Sequence, residues 1–314
     1  MVSKDYICTF ILPVYLKNEN KNGLKYFKET INSIINQTNP HWSLVVIDDN
    51  SDNCFLDKYI SELINKEQNE IIYHQNVTNM GAGASRNTGI DIAVKKLGSD
   101  IILFQDADDL AHPRRVEVTK EAFESMNIDL VYSPFLPIDS SGKEIKFDNL
   151  TYTIQKTILA NENPSVGTHV WKDLIADKIY MNLTSTTSVR ISLAQKIPFW
   201  TGKISEDSYT WIQYAATGAF FYFIKDIPCK YRIPHTENGS SCREFFGKEK
   251  FFRETVDVFI QALNDSSIIA LENGITTKEE IYKLKAQYYR EIAYALEKEN
   301  MHDLSKKLIE LSKG

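Results

Sequence analysis

Apolar and polar positions follow a regular order over the first 134 residues of the chain. Short apolar runs, typical of buried strands, alternate with stretches whose apolar residues recur at helical spacing. The pattern predicts strands at 7–13, 43–49, 70–75, 100–106 and 129–134, and helices at 22–38, 54–67, 83–98 and from Pro113 onward. Continuous apolar strands separated by amphipathic helices predict an α/β fold with a mostly parallel sheet covered on both faces.

The pattern is weaker beyond this half. Residues 135–243 are less regular, with a strand predicted at 219–226, whereas the apolar spacing of the last part of the chain predicts helices. The stretch "TKEE" at 277–280 is a capping-box pattern and marks a helix start. These patterns divide the chain into a domain at 1–243, with halves at 5–134 and 135–243, and a helical extension at 244–314 that we expect to pack on it.

Composition narrows the class of protein. With 314 residues, 43% of them hydrophobic and 25% charged, the chain has the profile of a soluble globular protein. The net charge of −6 argues against a nucleic-acid partner, and an anionic substrate would need a metal or a few local cations. No apolar stretch approaches the ~20 residues that cross a bilayer. Four distant cysteines without a C-x-x-C pair favour a reducing, cytoplasmic setting.

Unusual residues follow the carboxyl ends of the predicted strands, the edge where open parallel sheets bind ligands. They are Pro13-Val14-Tyr15, Asp48-Asp49, the stretch "NMGAGASRN" at 79–87, and Asp106 with Asp108 and Asp109. Asp106 and Asp108 are two apart, so in extended backbone they point to the same side. Two carboxylates there suit Mg2+ or Mn2+. The alternative is a set of solvated turn acids before the Pro113 helix.

The glycine-rich stretch is not a dinucleotide fingerprint. It begins like G-x-G-x-x-G, but Arg86 stands where the third glycine would let helix and strand pack closely. We interpret it as a small-residue turn that leads into a helix and carries Arg86 to the crevice. There the guanidinium could meet a phosphate or pair with a nearby acid.

Taken together, these motifs resemble the inverting GT-A glycosyltransferases of family 2. "FILPVY", "VVIDDNSDN", "NMGAGASRNTGI" and "ILFQDADD" have that family's order and spacing. Downstream, "ISEDSYTWIQYAATG" is similar to its E-D segment, and "YRIPHTENGSS" to its closing Y-R-x-H segment. The resemblance covers about residues 5–243 and leaves the C-terminal helices outside. It implies a Rossmann-like GT-A sheet, with nucleotide-sugar binding in 5–134 and acceptor binding and catalysis in 135–243.

The resemblance also implies roles for individual residues. They are Pro13, Val14 and Tyr15 at the base and ribose; Asp49, beside Asp48, at the uracil edge; Arg86 at the base or diphosphate; Asp106 at the ribose or donor sugar; Asp108 with Asp106 at the metal; His235 at the metal or diphosphate; and Asp207, beside Glu206, as the general base.

Simpler interpretations of these downstream residues remain open. Ser205-Glu206-Asp207 also resembles an N-cap followed by acids in the first turn of a helix. His235 follows Pro234, which departs from the usual spacing, and it could be an ordinary surface histidine. Trp171 and Trp211 could stack on a sugar or simply pack.

The expected function is a metal-dependent inverting glycosyltransferase that uses Mn2+ or Mg2+. It would move one sugar from a UDP-sugar to a glycan, lipid-linked or protein acceptor, in bacterial surface polysaccharide or glycoconjugate synthesis. The Q-x-x-R-W element of processive members is missing, since Gln213 is followed by Tyr-Ala-Ala, so we predict non-processive transfer. Acceptor contacts are expected at 184–188 and in the C-terminal helices.

The sequence also gives an expected location and two alternative functions. We expect a cytoplasmic protein, and its association with the inner face of the membrane and a homodimer through the C-terminal helices are open. A sugar nucleotidyltransferase would want a basic, glycine-rich loop after the first strand, where "PVYLKNENKNG" offers only Lys17 and Lys21. A non-catalytic nucleotide-sugar-binding subunit is the other alternative, which the intact acidic motifs disfavour.

Overall fold

The computed structural model describes residues 6–17, 22–52, 54–178, 181–233 and 241–313. Its strands are β1 (Cys8–Val14), β2 (Trp42–Asp48), β3 (Ile71–Gln75), β4 (Ile101–Phe104), β5 (Leu130–Tyr132), β6 (Phe135–Ile138), β7 (Thr187–Arg190), β8 (Phe221–Phe223) and β9 (Cys229–Arg232). Its α-helices are α1 (Gly23–Ile35), α2 (Cys54–Lys66), α3 (Ala82–Ile92), α4 (Arg115–Ser125), α5 (Tyr152–Ala160), α6 (Val170–Ala176), α7 (Ile191–Lys196), α8 (Glu206–Ala216), α9 (Ser241–Phe246), α10 (Lys248–Glu272), α11 (Lys278–Lys298) and α12 (His302–Leu311).

The chain folds into two compact units. The first comprises Met1–Phe135, Leu183–Lys203 and Ile224–Tyr231. Its strands run in the order β3-β2-β1-β4-β7-β5. The pairs β3–β2, β2–β1 and β1–β4 are parallel, and β7 is antiparallel to both β4 and β5. The prediction of a mostly parallel sheet flanked by helices is confirmed.

The central strands β1 and β4 form the core of this unit because they are largely apolar and buried along their whole length. Every residue of β1 and β4 is buried. Helix α3 packs on β1 and β2. It comes close at Gly89, where an added Cβ would lie 2.6 Å from Ile11 Cγ2. A glycine at this position therefore permits the close approach of helix and strand.

Strand β1 continues past the end of β4, and this offset creates the edge where the candidate site lies. The last residue of β4, Phe104, pairs with Ile11, whereas β1 pairs with β2 as far as Val14. Pro13 lies in this overhang and has no N–H to donate. The neighbouring polypeptide at this edge is the acidic segment that follows β4.

The second unit comprises Leu136–Asn182, Ile204–Phe223 and Arg232–Gly314. Within it α10 packs on α8, and α11 packs on α6 and α12. The predicted capping box is confirmed: Thr277 Oγ1 accepts from the Glu280 N–H at 3.2 Å, and Glu280 Oε2 accepts from the Thr277 N–H at 3.1 Å. The predicted domain boundaries at 134/135 and 243/244 stay predictions. Across the described parts of the chain, none of the helices has the length and apolar character to span a membrane.

Candidate active site

The acidic segment after β4 is a turn. The strand ends at Phe104, two residues earlier than predicted, and the chain turns at 107–108. The Asp109 N–H donates to the Asp106 carbonyl across this turn at 3.4 Å. The expected extended backbone between Asp106 and Asp108 is therefore wrong, and that the two carboxylates point to the same side stays a prediction.

Asp106 is held in place from two directions. Its Oδ1 accepts a hydrogen bond from Arg86 Nη2 at 2.7 Å, and its backbone N–H donates to Ser185 Oγ at 3.0 Å. The Asp106 side chain is 30% exposed, whereas that of Arg86 is 3% exposed. The arginine therefore anchors the carboxylate from inside the protein and leaves part of it open to a ligand.

The sequence left two partners open for Arg86, a nearby acid or a phosphate. In the structure Arg86 forms an ion pair with Asp106. Its guanidinium also lies over the Phe199 ring, 5.0 Å from the centroid. The next residue, Asn87, exchanges two hydrogen bonds with the Phe199 backbone, at 3.0 and 2.8 Å. The helix α3 thus fixes the Phe199 segment against the guanidinium. A contact of Arg86 with the base or diphosphate stays a prediction.

A second buried arginine, which the sequence reasoning missed, supports the same turn. Arg115, on α4, is 2% exposed. It donates to Gln105 Oε1 at 2.8 Å, to the Phe104 carbonyl at 2.8 Å and to the Thr187 carbonyl at 3.0 Å. It therefore bridges the backbones of β4 and β7 at the point where the acidic turn begins.

The electrostatics of the turn follow from this burial. Desolvation lowers the pKa of Arg115 to about 10. The neighbouring Cys229, Asp106 and Asp109 act in the opposite direction and raise this pKa. The guanidinium therefore stays charged near neutral pH. Burial raises the pKa of the Cys229 thiol well above its ordinary value, and Asp109 adds to the effect. Cys229 is therefore a neutral thiol packed beside the turn.

An antiparallel bridge closes the far end of the turn. Leu110 and Lys230 exchange backbone hydrogen bonds at 3.0 and 2.9 Å. At the near end, the Gln105 N–H donates to the Ile11 carbonyl at 3.1 Å. The turn is thus fixed on both sides by backbone contacts.

Asp48 is the last residue of β2 and Asp49 follows it, and their carboxylates accept hydrogen bonds from different parts of the chain. Asp48 is bound within the protein: Oδ1 accepts from the Ser51 N–H at 2.8 Å, and Oδ2 accepts from Tyr73 Oη at 2.8 Å and Gln75 Nε2 at 3.0 Å. These contacts fix the end of the strand to β3. A ligand contact of Asp48 stays a prediction.

Asp49 holds the loop that enters α3. Its Oδ1 accepts from Asn76 Nδ2 at 2.8 Å and the Met80 N–H at 2.9 Å, and its Oδ2 accepts from the Gly81 N–H at 2.7 Å. Gly81 has φ +90°, which favours glycine. Three hydrogen bonds leave an ionised carboxylate little further capacity, and the contact of Asp49 with a uracil edge stays a prediction.

The first predicted segment splits between the core and the surface. Pro13 and Val14 are buried residues of β1, whereas Tyr15 is 43% exposed. Of the three, Tyr15 presents its side chain to solvent, and their predicted contacts with base and ribose stay predictions.

Glu206 and Asp207 lie in the second unit, as the first two residues of α8. Asp207 Oδ1 accepts from the Ser208 N–H at 2.7 Å. Burial, followed by these two carboxylates, raises the pKa of the nearby Cys242 thiol to about 12. The two acids therefore form a local negative field beside Cys242. The predicted metal contact of His235 falls in 234–240, outside the described residues.

Other sequence candidates prove to be structural. Trp171 is fully buried and donates from Nε1 to Ser266 Oγ at 3.0 Å, and Trp211 is buried as well. Both pack rather than face a sugar. Residues 184–188, expected to contact an acceptor, are buried along their length. Its side chains serve internal contacts such as that of Ser185 with Asp106, and a contact of this segment with an acceptor stays a prediction.

Two solved structures have a fold similar to that of this chain. The S. aureus TarS 1-349 structure in complex with UDP-GlcNAc is 17% identical, with a TM-score of 0.60, and the match covers 97% of this chain and 90% of that one. The mannosyltransferase PcManGT from Pyrobaculum calidifontis, in complex with GDP-Man and Mn2+, is 14% identical, with a TM-score of 0.54 and coverage of 97% and 86%. At these identities the likeness concerns the fold, which is GT-A as predicted.

Sequence comparison gives the family. The family described as "Glycosyl transferase family 2" matches residues 9–180, more than half of the chain. An uncharacterized glycosyltransferase of Methanocaldococcus jannaschii is 30% identical over 217 residues, which is 68% of this chain and 68% of that protein. The chain belongs to glycosyl transferase family 2, and it is a glycosyltransferase.

Proposed function

We propose that this glycosyltransferase moves a single sugar from a UDP-linked donor to an acceptor hydroxyl, with inversion at the anomeric carbon. The observation that carries the proposal is the Asp106–Asp109 turn at the carboxyl end of β4, anchored by the buried Arg86 and Arg115. A rigid acidic turn at this edge of an open sheet suits a cation-bridged diphosphate. The TarS and PcManGT structures, in complex with UDP-GlcNAc and with GDP-Man and Mn2+, support a nucleotide-sugar donor.

The donor set of the turn fits a hard divalent cation. Asp106 and Asp108 are both partly exposed and offer oxygen ligands. Mg2+ is commonly held by one or two carboxylates together with substrate phosphates and water. The described part of the chain has no group of three or more His, Cys, Asp or Glu side chains arranged for a metal, so the diphosphate and water would complete the shell of an ion held by the two aspartates. Asp108, Asp106 and His235 would hold the ion, which when bound neutralises charge on the departing diphosphate.

The general base in this proposal is Asp207, with Glu206 beside it. Asp207 would accept the proton of the acceptor hydroxyl while that oxygen attacks the anomeric carbon from the face opposite the leaving group. Base assistance of this kind contributes roughly 10²–10⁴-fold. The residue before the two acids, Ser205, has φ +54°. Such backbone strain is common at functional sites and supports a role beyond ordinary helix capping.

The acceptor in this proposal is a glycan, a lipid-linked sugar or a protein, and transfer is non-processive. We place the reaction in the cytoplasm. The four cysteines of the sequence stand far apart and form no C-x-x-C pair, which supports a reducing compartment.

The donor and the cation can be tested on the purified chain. UDP-GlcNAc, UDP-glucose, UDP-galactose and GDP-mannose are supplied with Mn2+, and nucleoside diphosphate release is measured, with calorimetry of UDP and Mn2+ binding in parallel. Asp108→Asn should lose the Mn2+-dependent binding of UDP. Asp100→Asn is the matched control, since Asp100 precedes the opposite end of β4 and accepts from the Ile7 N–H at 3.1 Å. Full UDP release in the presence of excess chelator would refute the role of the cation.

The base can be tested separately. Asp207→Asn should keep UDP binding and lose turnover, whereas Asp108→Asn should lose both. Proton NMR of the released sugar, recorded before mutarotation, should show the anomer opposite to that of the donor. Retention of configuration, or full turnover by Asp207→Asn, would overturn the proposed mechanism.

A further inference from the structure

The C-terminal helix α10 holds the helix that begins with Glu206 and Asp207. Three side chains spaced four residues apart, and thus on one face of α8, hydrogen-bond to α10. They are Ser205 to Thr255 Oγ1 at 3.0 Å, Tyr209 to Asp265 Oδ2 at 2.6 Å, and Gln213 to the Ala262 carbonyl at 3.1 Å. All six residues belong to the second unit. The register of α8 is therefore set by a helix outside the part of the chain that resembles the family.

The first of these contacts lies at a strained residue. Ser205 has φ +54° and ψ +29°, a left-handed conformation that costs a non-glycine residue about 1–2 kcal/mol. A serine before a helix normally caps it by accepting from a backbone N–H of the first turn. Ser205 makes no such cap bond, and its hydroxyl meets Thr255 instead. At this N-cap position a tertiary contact thus takes the place of the capping hydrogen bond.

Thr255 is a rigid partner for this contact. It is 4% exposed and lies within the 25-residue helix α10. A β-branched side chain in a helix has few rotamers, so its hydroxyl has a defined position. Asp207 follows Ser205 by two residues and is tied to its own helix through the Ser208 N–H. A shift at Ser205 would therefore tilt the start of α8 and carry the Asp207 carboxylate with it.

We infer that Thr255 is a positioning residue for catalysis: its hydroxyl holds Ser205 in the left-handed conformation that presents Glu206 and Asp207. The inference rests on the proposed role of Asp207 as base. It also gives the C-terminal extension a function, because α10 supplies the hydroxyl. Misplacement of a catalytic group by about 1 Å can cost roughly 10²-fold in rate.

The test compares Thr255→Val, which removes the hydroxyl and keeps the shape, with Thr255→Ser, which keeps the hydroxyl. The donor is the panel member with the highest turnover, and kcat, KM and the melting temperature are measured. Thr255→Val should lower kcat about 10–100-fold. The KM for the donor should stay unchanged, because the carboxylates proposed to bind the donor, Asp106 and Asp108, are not on α8. Thr255→Ser should restore most of kcat. Ser205→Ala should match Thr255→Val, and the double variant should be no worse than the poorer single one.

The matched control is Thr157→Val. Thr157 is also 4% exposed in the second unit, and its hydroxyl bonds only locally, to the Thr153 carbonyl at 2.9 Å. It should lose a similar amount of melting temperature and keep kcat. If Thr255→Val follows this control in kcat while Asp207→Asn is inactive, the positioning role is wrong and the proposed function stands. If Asp207→Asn keeps full turnover, the proposed base itself is wrong.

Discussion

Replacing Arg115 by methionine should loosen the end of β4 and the acidic turn behind it. Methionine is of similar length but cannot donate, so the Phe104 and Thr187 carbonyls and the Gln105 side chain would each lose a bond of 2.8–3.0 Å. These acceptors are buried, and water reaches them only if the strands part. The expected result is a loss of stability together with weaker binding of UDP and Mn2+.

The magnitude can be worked out from these three bonds. Hydrogen bonds from a charged donor contribute about 1.5–3 kcal/mol each, and their sum would be about 5–9 kcal/mol. Removal of the buried charge also removes its desolvation cost, which offsets part of that sum, so we expect about 3–5 kcal/mol, as for other broken buried charge contacts. At about 2–4 °C per kcal/mol for a domain of this size, the melting temperature should fall by roughly 6–20 °C.

Thermal unfolding followed by circular dichroism measures the loss, and hydrogen–deuterium exchange over residues 101–106 locates it. Arg115→Lys should recover only part of the stability, because one ammonium cannot span two strand carbonyls as a planar guanidinium does. Arg114→Met is the control, because Arg114 is exposed and its guanidinium donates to Glu117 Oε1 at 2.9 Å, away from the two strands. Equal melting temperatures for Arg115→Met and Arg114→Met would refute the reasoning.

Two further predictions concern packing and charge. Gly89→Ala should destabilise the chain by about 1–3 kcal/mol, because its Cβ would lie 2.6 Å from a methyl of the stiff Ile11 side chain; an unchanged denaturant midpoint would contradict this. Cys242 should react slowly with iodoacetamide at about pH 8, because burial and then Glu206 and Asp207 raise the pKa of its thiol to about 12. The rate should rise about tenfold per pH unit beyond pH 10, until the pH nears that pKa. Labelling by iodoacetamide with mass spectrometry would measure it, and a plateau near pH 9 would contradict it.

The sequence predicted those features whose cause is local. The capping box of Thr277 and Glu280 needs only four consecutive residues, and it forms as predicted. Gly98 ends its helical segment with φ +61°, a conformation that glycine adopts easily. The parallel strands were predictable because both of their faces are buried, which gives continuous apolar runs.

Features that depend on distant partners were missed, or the sequence left several alternatives open for them. Arginine is mostly a surface residue, so nothing in its type marked Arg115 as buried. Its helical spacing from Thr119, on the buried face of α4, was the available signal. Ser205 takes the N-cap position before Glu206 and Asp207, as the alternative interpretation had it, but its hydroxyl contacts Thr255, 50 residues away, instead of a backbone N–H of the first turn. Neighbouring Asp48 and Asp49 could not be told apart without knowing which loop each one meets.

Two buried arginines partly balance the negative charge of the acidic turn. Arg86 on α3 pairs with Asp106, and Arg115 on α4 lies close enough to Asp106 and Asp109 for their charges to act on its pKa. The turn carries three carboxylates, at Asp106, Asp108 and Asp109, so the two guanidiniums leave a net negative charge that is smaller than the carboxylates alone would give. In the proposed mechanism this charge attracts the dication. A smaller surplus repels an incoming diphosphate less. Because the arginines are already in place through protein contacts, the turn need not reorganise when a donor binds, which is what preorganised electrostatic catalysis requires.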